Sequence, residues 1–323
     1  MNTRDHGGNL EGAIARFGGA RADWIDLSTG INRVPWPVSD LGREAWTALP
    51  TVTAREGLVA AARRAYGTGD GILPVAGAQA GIQLLPLILD GRRMAIAGPT
   101  YNEFAASFEA RGWSVELSTE GLDGLRGVDV AVVVNPNNPD GAHCGADDLR
   151  ALAGEVGTLV VDESFADAVP EGSLLRRPLP GNVLVLRSFG KFYGLAGVRL
   201  GFVVGAEARL EAMRVLAGPW NVSGPALALG AAALADEGWR AATVERLTGE
   251  MTRMDRIGAG AGWRVLGGTH LFRLFGTEDA AAAQERLAKA QVWSRIFPYS
   301  DSWIRLGFPG SQAEWERLEA ALA

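Results

Sequence analysis

The residues best suited to chemistry lie in short loops that follow apolar runs. The stretch SFGKFYGLAGVRLGF at 188–202 places a lone lysine, Lys191, between glycine and phenylalanine, where a merely solvated surface charge is not expected. Comparable loops supply an acid, an amide, an aromatic ring and a small-residue turn able to cradle a phosphate. The set consists of Asp162, Asn138, Tyr101, the turn PVAGAQAG at 74–81, Ser188, Lys191 and Arg199.

Short apolar runs must position these loops. Four runs rich in Val, Ile and Leu, at 93–99, 128–136, 158–164 and 182–188, are typical of buried strands. Segments with helical spacing lie between them, at 102–112 and 146–157. This alternation predicts an α/β fold with a mostly parallel sheet covered by helices on both faces. Because ligands gather at the carboxyl ends of such strands, we expect the polar residues to meet there.

The pattern changes after about Gly218. Long helical segments at 225–260 precede strand-like runs at 263–275, 292–298 and 302–308 and a terminal helix from Gln312. A chain of 323 residues suits one large domain and a smaller one. We therefore predict a large domain over 38–217, and a smaller α+β domain in which 1–37 packs with 218–323.

Composition argues against several classes of function. The net charge of -6 argues against a nucleic-acid partner. Cys144 is the single cysteine, which fits a reducing, cytoplasmic setting, and no ligand cluster surrounds it, so we expect no metal site. The N-terminus lacks the pattern of a signal peptide. The uncharged stretch 71–89 is interrupted by Pro and Gly, so it predicts a strand, a glycine loop and a buried helix rather than a membrane span.

Taken singly, the residues of the set have simpler interpretations. Tyr101 alone would be a packing residue, Asn138 a turn former and Asp162 a helix cap. The Ser-x-x-Lys stretch also occurs in surface loops and as the nucleophile motif of penicillin-binding enzymes. The Ser-Asp-Asn and Lys-Thr-Gly partners of that motif are absent from the sequence. The order of all the motifs along the chain carries more information than any one of them.

In this order the motifs resemble those of fold-type I pyridoxal-phosphate enzymes, the aminotransferase superfamily. The resemblance covers nearly the whole chain. Its strongest element is Ser-x-x-Lys with an arginine eight positions after the lysine, and an Asp-Glu pair begins 29 residues before that lysine. The resemblance implies PLP-transferase fold type I, an enzyme, and pyridoxal 5′-phosphate as its cofactor.

The resemblance also implies a role for each residue. Lys191 would join covalently to the cofactor aldehyde and later move protons at the substrate carbon. Asp162 would keep the pyridine nitrogen protonated, which makes the ring an electron sink. The remaining groups would hold the cofactor: Asn138 at the phenolic oxygen, Tyr101 against the ring face, and the N–H groups of Ala78 and Gln79 with Ser188 and Arg199 around the phosphate.

Further stretches narrow the resemblance to one branch. The sequences at 5–18, 25–37 and 218–230 are similar to those of threonine-phosphate decarboxylases and their cobalamin-biosynthesis relatives. By this resemblance His6, flanked by glycines, would meet a substrate anion. The alternative for His6 is a flexible terminus.

The same branch implies a substrate site late in the chain. Arg305 matches the family's carboxylate-binding arginine, and Arg295 matches a neighbour that helps with the carboxylate or a substrate phosphate. Asn32, from the family's Asn-Pro, belongs to the same group. A solvated strand charge is the alternative for either arginine.

Three positions depart from the family pattern. Phe165 stands where many transaminases have a tyrosine whose hydroxyl faces the cofactor. Leu49 replaces a tyrosine that reaches the neighbouring subunit's cofactor phosphate, and Arg33 replaces the proline of Asn-Pro. These changes argue against efficient general transamination.

We therefore expect a pyridoxal-phosphate-dependent lyase acting on a small α-amino acid. The predicted reaction is decarboxylation of O-phosphothreonine to aminopropanol phosphate for cobalamin biosynthesis, by a cytoplasmic homodimer without nucleic-acid or membrane partners. The main alternative is an aminotransferase resembling histidinol-phosphate aminotransferase. A non-catalytic pyridoxal-phosphate-binding regulator is a third possibility, although no helix-turn-helix head precedes the enzyme pattern.

Overall fold

The computed structural model describes residues 6–323. Along them the helices are α1 (Leu10–Phe17), α2 (Arg43–Thr47), α3 (Val52–Tyr66), α4 (Ala78–Ile88), α5 (Glu103–Glu109), α6 (Ala146–Ala153), α7 (Phe189–Phe192), α8 (Glu207–Ala217), α9 (Gly224–Ala235), α10 (Glu237–Gly260), α11 (Ala280–Lys289) and α12 (Gln312–Leu322). The strands are β1 (Ile25–Asp26), β2 (Gly71–Val75), β3 (Arg93–Ala97), β4 (Ser114–Ser118), β5 (Val130–Val134), β6 (Thr158–Asp162), β7 (Val183–Ser188), β8 (Gly201–Gly205), β9 (Arg264–Thr269), β10 (Phe272–Gly276), β11 (Val292–Trp293), β12 (Arg295–Phe297) and β13 (Ser300–Gly307).

The described residues form two compact units. The larger comprises Trp36–Asn138 and His143–Arg240, and the smaller comprises the residues up to Pro35, Pro139–Ala142 and Ala241–Ala323. The larger unit continues past Gly218, where the sequence pattern changes, because α9 packs against α3. Gly230 of α9 lies so close to Leu58 of α3 that an added Cβ would be 2.9 Å from its side chain.

A seven-stranded sheet forms the core of the larger unit, in the order β2-β8-β7-β6-β5-β3-β4. The strands from β7 to β4 are parallel, and β8 alone runs in the opposite direction, antiparallel to both of its neighbours, β7 and β2. The four strands predicted from sequence are β3, β5, β6 and β7, so the predicted parallel sheet is confirmed. Every residue of β5 and β6 is buried, as expected when both faces of a sheet are covered.

The pairing of β2 with β8 brings distant segments of the larger unit together. The stretch 71–89 forms β2, a glycine turn and α4, as its sequence predicts. Val75 at the end of β2 pairs with Gly201 at the start of β8. This register places the segment that ends at Arg199 beside the first turn of α4. An added Cβ on Gly201 would lie 2.4 Å from the Ala78 nitrogen, so the approach requires glycine.

The smaller unit combines a four-stranded antiparallel sheet, β12-β13-β10-β9, with a parallel two-stranded pair, β1 and β11. Its N-terminal residues pack against the C-terminal segment. Leu10 and Trp24 share an apolar cluster with Ala288 of α11, and Trp24 meets Trp293 edge-on. Within residues 6–323, no helix combines the length and the apolar character needed to cross a membrane.

Candidate active site

A cavity of about 130 Å³ opens at the carboxyl edge of the parallel strands in the larger unit. Parallel strands end at the same edge of a sheet, so the loops after β3, β5, β6 and β7 converge there. The cavity brings together all eight residues predicted to hold a cofactor. They are Ala78, Gln79, Tyr101, Asn138, Asp162, Ser188, Lys191 and Arg199.

Asp162 is the last residue of β6 and only 3% exposed. Its carboxylate accepts hydrogen bonds from the Ser164 backbone N–H at 2.9 Å and from the Ser164 hydroxyl. Burial raises the pKa of Asp162, although the hydrogen bonds from Ser164 and the charge of Lys191 act in the opposite direction. A carboxylate buried in this way favours a cation placed in the cavity beside it.

Lys191 lies in the short helix α7, directly after β7. Its Nζ is 5.7 Å from the centre of the Phe165 ring, which also lines the cavity. Gly190 is required next to it because an added Cβ would lie 2.7 Å from the Ala196 Cα. The phenylalanine at 165 therefore gives the lysine an aromatic neighbour without a hydroxyl group.

The first turn of α4 forms an anion cradle. Its leading N–H groups, at Ala78 and Gln79, precede the hydrogen-bond ladder of the helix and so remain available to an anion. Gly77, with φ of 79°, caps this turn, and an added Cβ there would lie 2.7 Å from Arg199 Nη2. Arg199 itself has a left-handed φ of 55°, an uncommon conformation for a residue with a side chain.

These features fit pyridoxal 5′-phosphate. A ring with a basic nitrogen complements the buried Asp162 carboxylate, and a phosphate complements Arg199 with the first turn of α4. Lys191 lines the same cavity and supplies the amine that a bound aldehyde requires.

A buried ion network lies behind Asp162, and sequence reasoning missed it. Arg187 of β7 donates to Glu163 Oε2 at 2.9 Å and to Asp167 Oδ1 at 2.8 Å, and its guanidinium stacks on the Tyr66 ring at 4.5 Å. The network fixes the loop that follows Asp162. The available signal was charge inside buried runs, since VLVLRS and VVDES each carry ionisable residues that need partners.

A second chain of hydrogen bonds joins two walls of the cavity. The Tyr101 hydroxyl donates to Gln79 Oε1 at 3.2 Å, and Gln79 Nε2 donates to Glu103 Oε2 at 2.7 Å. The family resemblance implies a role only for the backbone N–H of Gln79. The structure shows that the Gln79 side chain also takes part, through these two hydrogen bonds. Glu103 was not predicted, because an acidic residue in a first helical turn is ordinarily a favourable charge near the helix N-terminus.

The four residues predicted to bind substrate all lie in the smaller unit. Arg305 of β13 is 6% exposed, and its Nη2 donates to the Ser28 carbonyl at 2.7 Å. Arg295 of β12 is its cross-strand partner. Burial, and then the charge of Arg295, lowers the pKa of Arg305 to about 10, so Arg305 stays cationic at neutral pH. The pair offers an incoming anion two adjacent positive charges.

Ser28 connects the N-terminal segment to Arg305. The Gly8 N–H donates to Ser28 Oγ at 2.7 Å, and the Ser28 hydroxyl donates to Asp26 at 2.6 Å. At Gly7 an added Cβ would lie 2.5 Å from the Ser28 carbonyl oxygen, so only glycine fits. His6 itself is exposed. The sequence signal for this junction was the Asp-x-Ser spacing, which favours a local turn.

Asn32 is 4% exposed, and its Oδ1 accepts hydrogen bonds from Arg246 Nη2 at 2.9 Å and from the Val34 N–H at 3.0 Å. These bonds fix the direction of its amide. Arg33 donates to Glu314 Oε2 at 3.1 Å. The arginine that departs from the family's Asn-Pro therefore ties this segment to α12.

Residues 58–322 match the family model described as aminotransferase class I and II. The chain is 41% identical over 98% of its length to a threonine-phosphate decarboxylase of Sinorhizobium sp, covering 97% of that protein. It is 40% identical to a threonine-phosphate decarboxylase of Pseudomonas aeruginosa, with the same coverage of both chains.

Among solved structures, the histidinol-phosphate aminotransferase of Sinorhizobium meliloti, in complex with pyridoxal-5′-phosphate, has a TM-score of 0.84. It is 21% identical to this chain, with 97% of this chain and 93% of that chain covered. These matches confirm the predicted fold type I and the predicted resemblance, and they support pyridoxal 5′-phosphate as the cofactor. The chain belongs to the aminotransferase class I and II family.

Proposed function

We propose that this protein is a pyridoxal-phosphate-dependent decarboxylase that converts O-phosphothreonine to aminopropanol phosphate and carbon dioxide. The observation that carries the proposal is the 41% identity to a threonine-phosphate decarboxylase over nearly the full length of both chains. The use of the product in cobalamin biosynthesis and a cytoplasmic location belong to the same proposal.

The cofactor, when bound, supplies a cationic ring that accepts the electron pair left at the substrate α-carbon after carbon dioxide departs. The residues of the larger unit hold and tune it. Asp162 keeps an anion beside the ring nitrogen, and Lys191 serves as the covalent anchor and returns a proton to the α-carbon. Tyr101 would lie at the ring face, Asn138 would bind the phenolic oxygen, and the phosphate would be held by Ala78, Gln79, Ser188 and Arg199.

The residues of the smaller unit are proposed to bind the substrate. Arg305 suits the substrate carboxylate, because a planar guanidinium matches a planar carboxylate. Arg295 and His6 are assigned to the substrate phosphate, with Asn32 in the same group. The support for this assignment is that Ser28 joins the segment behind His6 to Arg305 within one unit.

A transaminase acting on histidinol phosphate is the second candidate, and 32% identity to a histidinol-phosphate aminotransferase of Mycobacterium sp. over 59% of this chain favours it. The two reactions differ in the substrate bond held perpendicular to the ring, which is C–COO⁻ for decarboxylation and C–H for transamination. The relatives that match nearly the full length of the chain are decarboxylases, which weighs against a non-catalytic regulator.

Product analysis separates these candidates. The protein, loaded with cofactor, is incubated with O-phosphothreonine or histidinol phosphate, each with and without a keto-acid acceptor. Aminopropanol phosphate formed from O-phosphothreonine without the acceptor supports the decarboxylase. Turnover of histidinol phosphate that requires the acceptor would identify a transaminase, and no turnover of either would favour a regulator.

We also propose a two-fold symmetric homodimer. The larger unit exposes several large apolar side chains on neighbouring segments, among them Trp46, Leu49, Val52 and Trp220. Val52 and Trp220 line one surface cavity. Exposed aromatic and aliphatic side chains at this density are typical of an interface. Sedimentation at micromolar concentration measures the oligomeric state. A protein that is monomeric under these conditions and still fully active would contradict the proposed dimer.

A further inference from the structure

We propose that Glu103 is a positioning residue for the cofactor site, acting through Gln79 on the hydroxyl of Tyr101. Glu103 is 6% exposed in the first turn of α5, and its Oε2 accepts from Gln79 Nε2 at 2.7 Å. Gln79 Oε1 in turn accepts from the Tyr101 hydroxyl at 3.2 Å. The inference rests on the ring-stacking role proposed for Tyr101, and not on the identity of the substrate.

The direction of the Gln79 amide follows from hydrogen-bond chemistry. An ionised carboxylate only accepts hydrogen bonds, so the Gln79 NH₂ group must face Glu103. The carbonyl oxygen of the same amide must then face Tyr101, whose hydroxyl can bond to it only as a donor. Glu103 thus decides which end of the amide meets the phenol, although Glu103 is not among the residues that line the cavity.

The position of this chain of bonds explains why it matters. Gln79 lies in the first turn of α4, which forms the anion cradle, whereas Tyr101 follows β3 on another wall of the cavity. Their side chains connect the two walls. Burial of Glu103 keeps solvent from competing for its bond to Gln79, so the bond can hold the phenol at one height above the cofactor ring.

The test uses the enzyme loaded with pyridoxal phosphate and two readouts that do not depend on turnover. These are the visible circular dichroism of the bound cofactor, which reports ring stacking, and the cofactor dissociation constant. Glu103→Leu removes the acceptor, and Glu103→Gln keeps the shape while allowing either amide orientation. Glu109→Gln is the matched control, since Glu109 lies exposed at the other end of α5.

We expect Glu103→Leu to change the visible dichroism and to raise the dissociation constant about three- to tenfold, with Glu103→Gln intermediate and Glu109→Gln without effect. In a Tyr101→Phe background both Glu103 changes should add little, because the hydroxyl through which Glu103 acts is gone. If Glu103→Leu does not fold, Glu103→Gln carries the same comparison.

Equal effects of the Glu103 changes with and without the Tyr101 hydroxyl would overturn the proposal, as would unchanged dichroism in both Glu103 variants. Tyr101→Leu separates this failure from a failure of the proposed site. Unchanged dichroism in Tyr101→Leu would remove the stacking role of Tyr101 itself, and Glu103 would then have no ring to position.

Discussion

Each unit of the molecule buries one charge that is central to the proposed chemistry, and the two charges are opposite. Asp162 lies in the larger unit at a strand end, and Arg305 lies in the smaller unit in the middle of a sheet. Burial raises the pKa of Asp162 and lowers that of Arg305 to about 10, so in both cases it disfavours the charged form. Each site therefore favours a ligand of opposite charge, a ring cation in one and a carboxylate in the other.

The surroundings of the two charges differ. The Asp162 carboxylate accepts a hydrogen bond from Ser164, only two residues later in the chain, and Arg187 fixes the loop that follows. Arg305 donates to the carbonyl of Ser28, a residue that also binds the N-terminal segment at Gly8, and it faces the like charge of Arg295. The cofactor site is thus built on rigid strand ends, whereas the arginine site depends on a terminal segment.

The largest expected effect is the loss of Lys191. With cofactor bound, the wild-type protein should absorb in the visible and form a borohydride-stable link, and Lys191→Ala should abolish that link. Turnover should fall by at least about 10²- to 10⁴-fold, because Lys191 is also the proposed proton carrier. Mass spectrometry after borohydride reduction locates the label, and label retained in Lys191→Ala would refute the assignment.

Asp162→Asn should lower turnover by about 10²- to 10³-fold, because an amide cannot favour a protonated ring nitrogen. The same change should stabilise the protein without cofactor at neutral pH. The folded-state pKa of Asp162 lies above its unfolded value of about 3.9. The free energy of unfolding therefore falls as the pH rises from the unfolded to the folded-state pKa, and it stays reduced at higher pH.

Thermal unfolding of the cofactor-free protein as a function of pH checks this prediction. The variant should melt higher than wild type at pH 7, and the difference should shrink as the pH falls and vanish only below about pH 3.9, where Asp162 is protonated in both states. A variant that is less stable at pH 7 would show that the charged carboxylate is a net stabilising group, and near-normal turnover would exclude the role at the ring nitrogen.

In the smaller unit, the two arginines should differ in their effect on a ligand that carries a carboxylate but no phosphate. Arg305→Lys should weaken the affinity for this ligand more than Arg295→Lys does. A lysine cannot reproduce the two parallel hydrogen bonds of a guanidinium to a carboxylate. We expect a loss of about tenfold or more for Arg305→Lys with plain threonine. Binding titrations of the cofactor-loaded protein with threonine and O-phosphothreonine measure it, and equal losses for both variants with threonine would contradict the assignment.

The smallest expected effect is that of His6→Ala, about 1–3 kcal/mol in affinity for O-phosphothreonine and much less for threonine. Asn9→Ala is a control, because it perturbs the same segment at the cap of α1 without changing His6. Equal losses for the two ligands would mean that His6 shapes the segment rather than binds the phosphate. No loss for either would favour a flexible terminus and an unphosphorylated substrate.

The sequence by itself determined the local elements and the residues at their ends. Runs such as those at 130–134 and 159–161 are continuously apolar, and a strand buried on both faces requires this, so β3, β5, β6 and β7 were predictable. Parallel strands share one carboxyl edge, so the convergence of Tyr101, Asn138, Asp162 and Lys191 followed from the same pattern.

Only the tertiary structure decided which side chains meet across the chain. Arg305 and Ser28 are 277 positions apart, and Glu103 and Gln79 are 24 apart on different helices. The antiparallel strand β8, which sets Arg199 against Gly77, also required the fold. Periodicity reports which face of an element is buried, but not which partner a polar group finds there. That choice depends on strand order and on the close packing of distant segments.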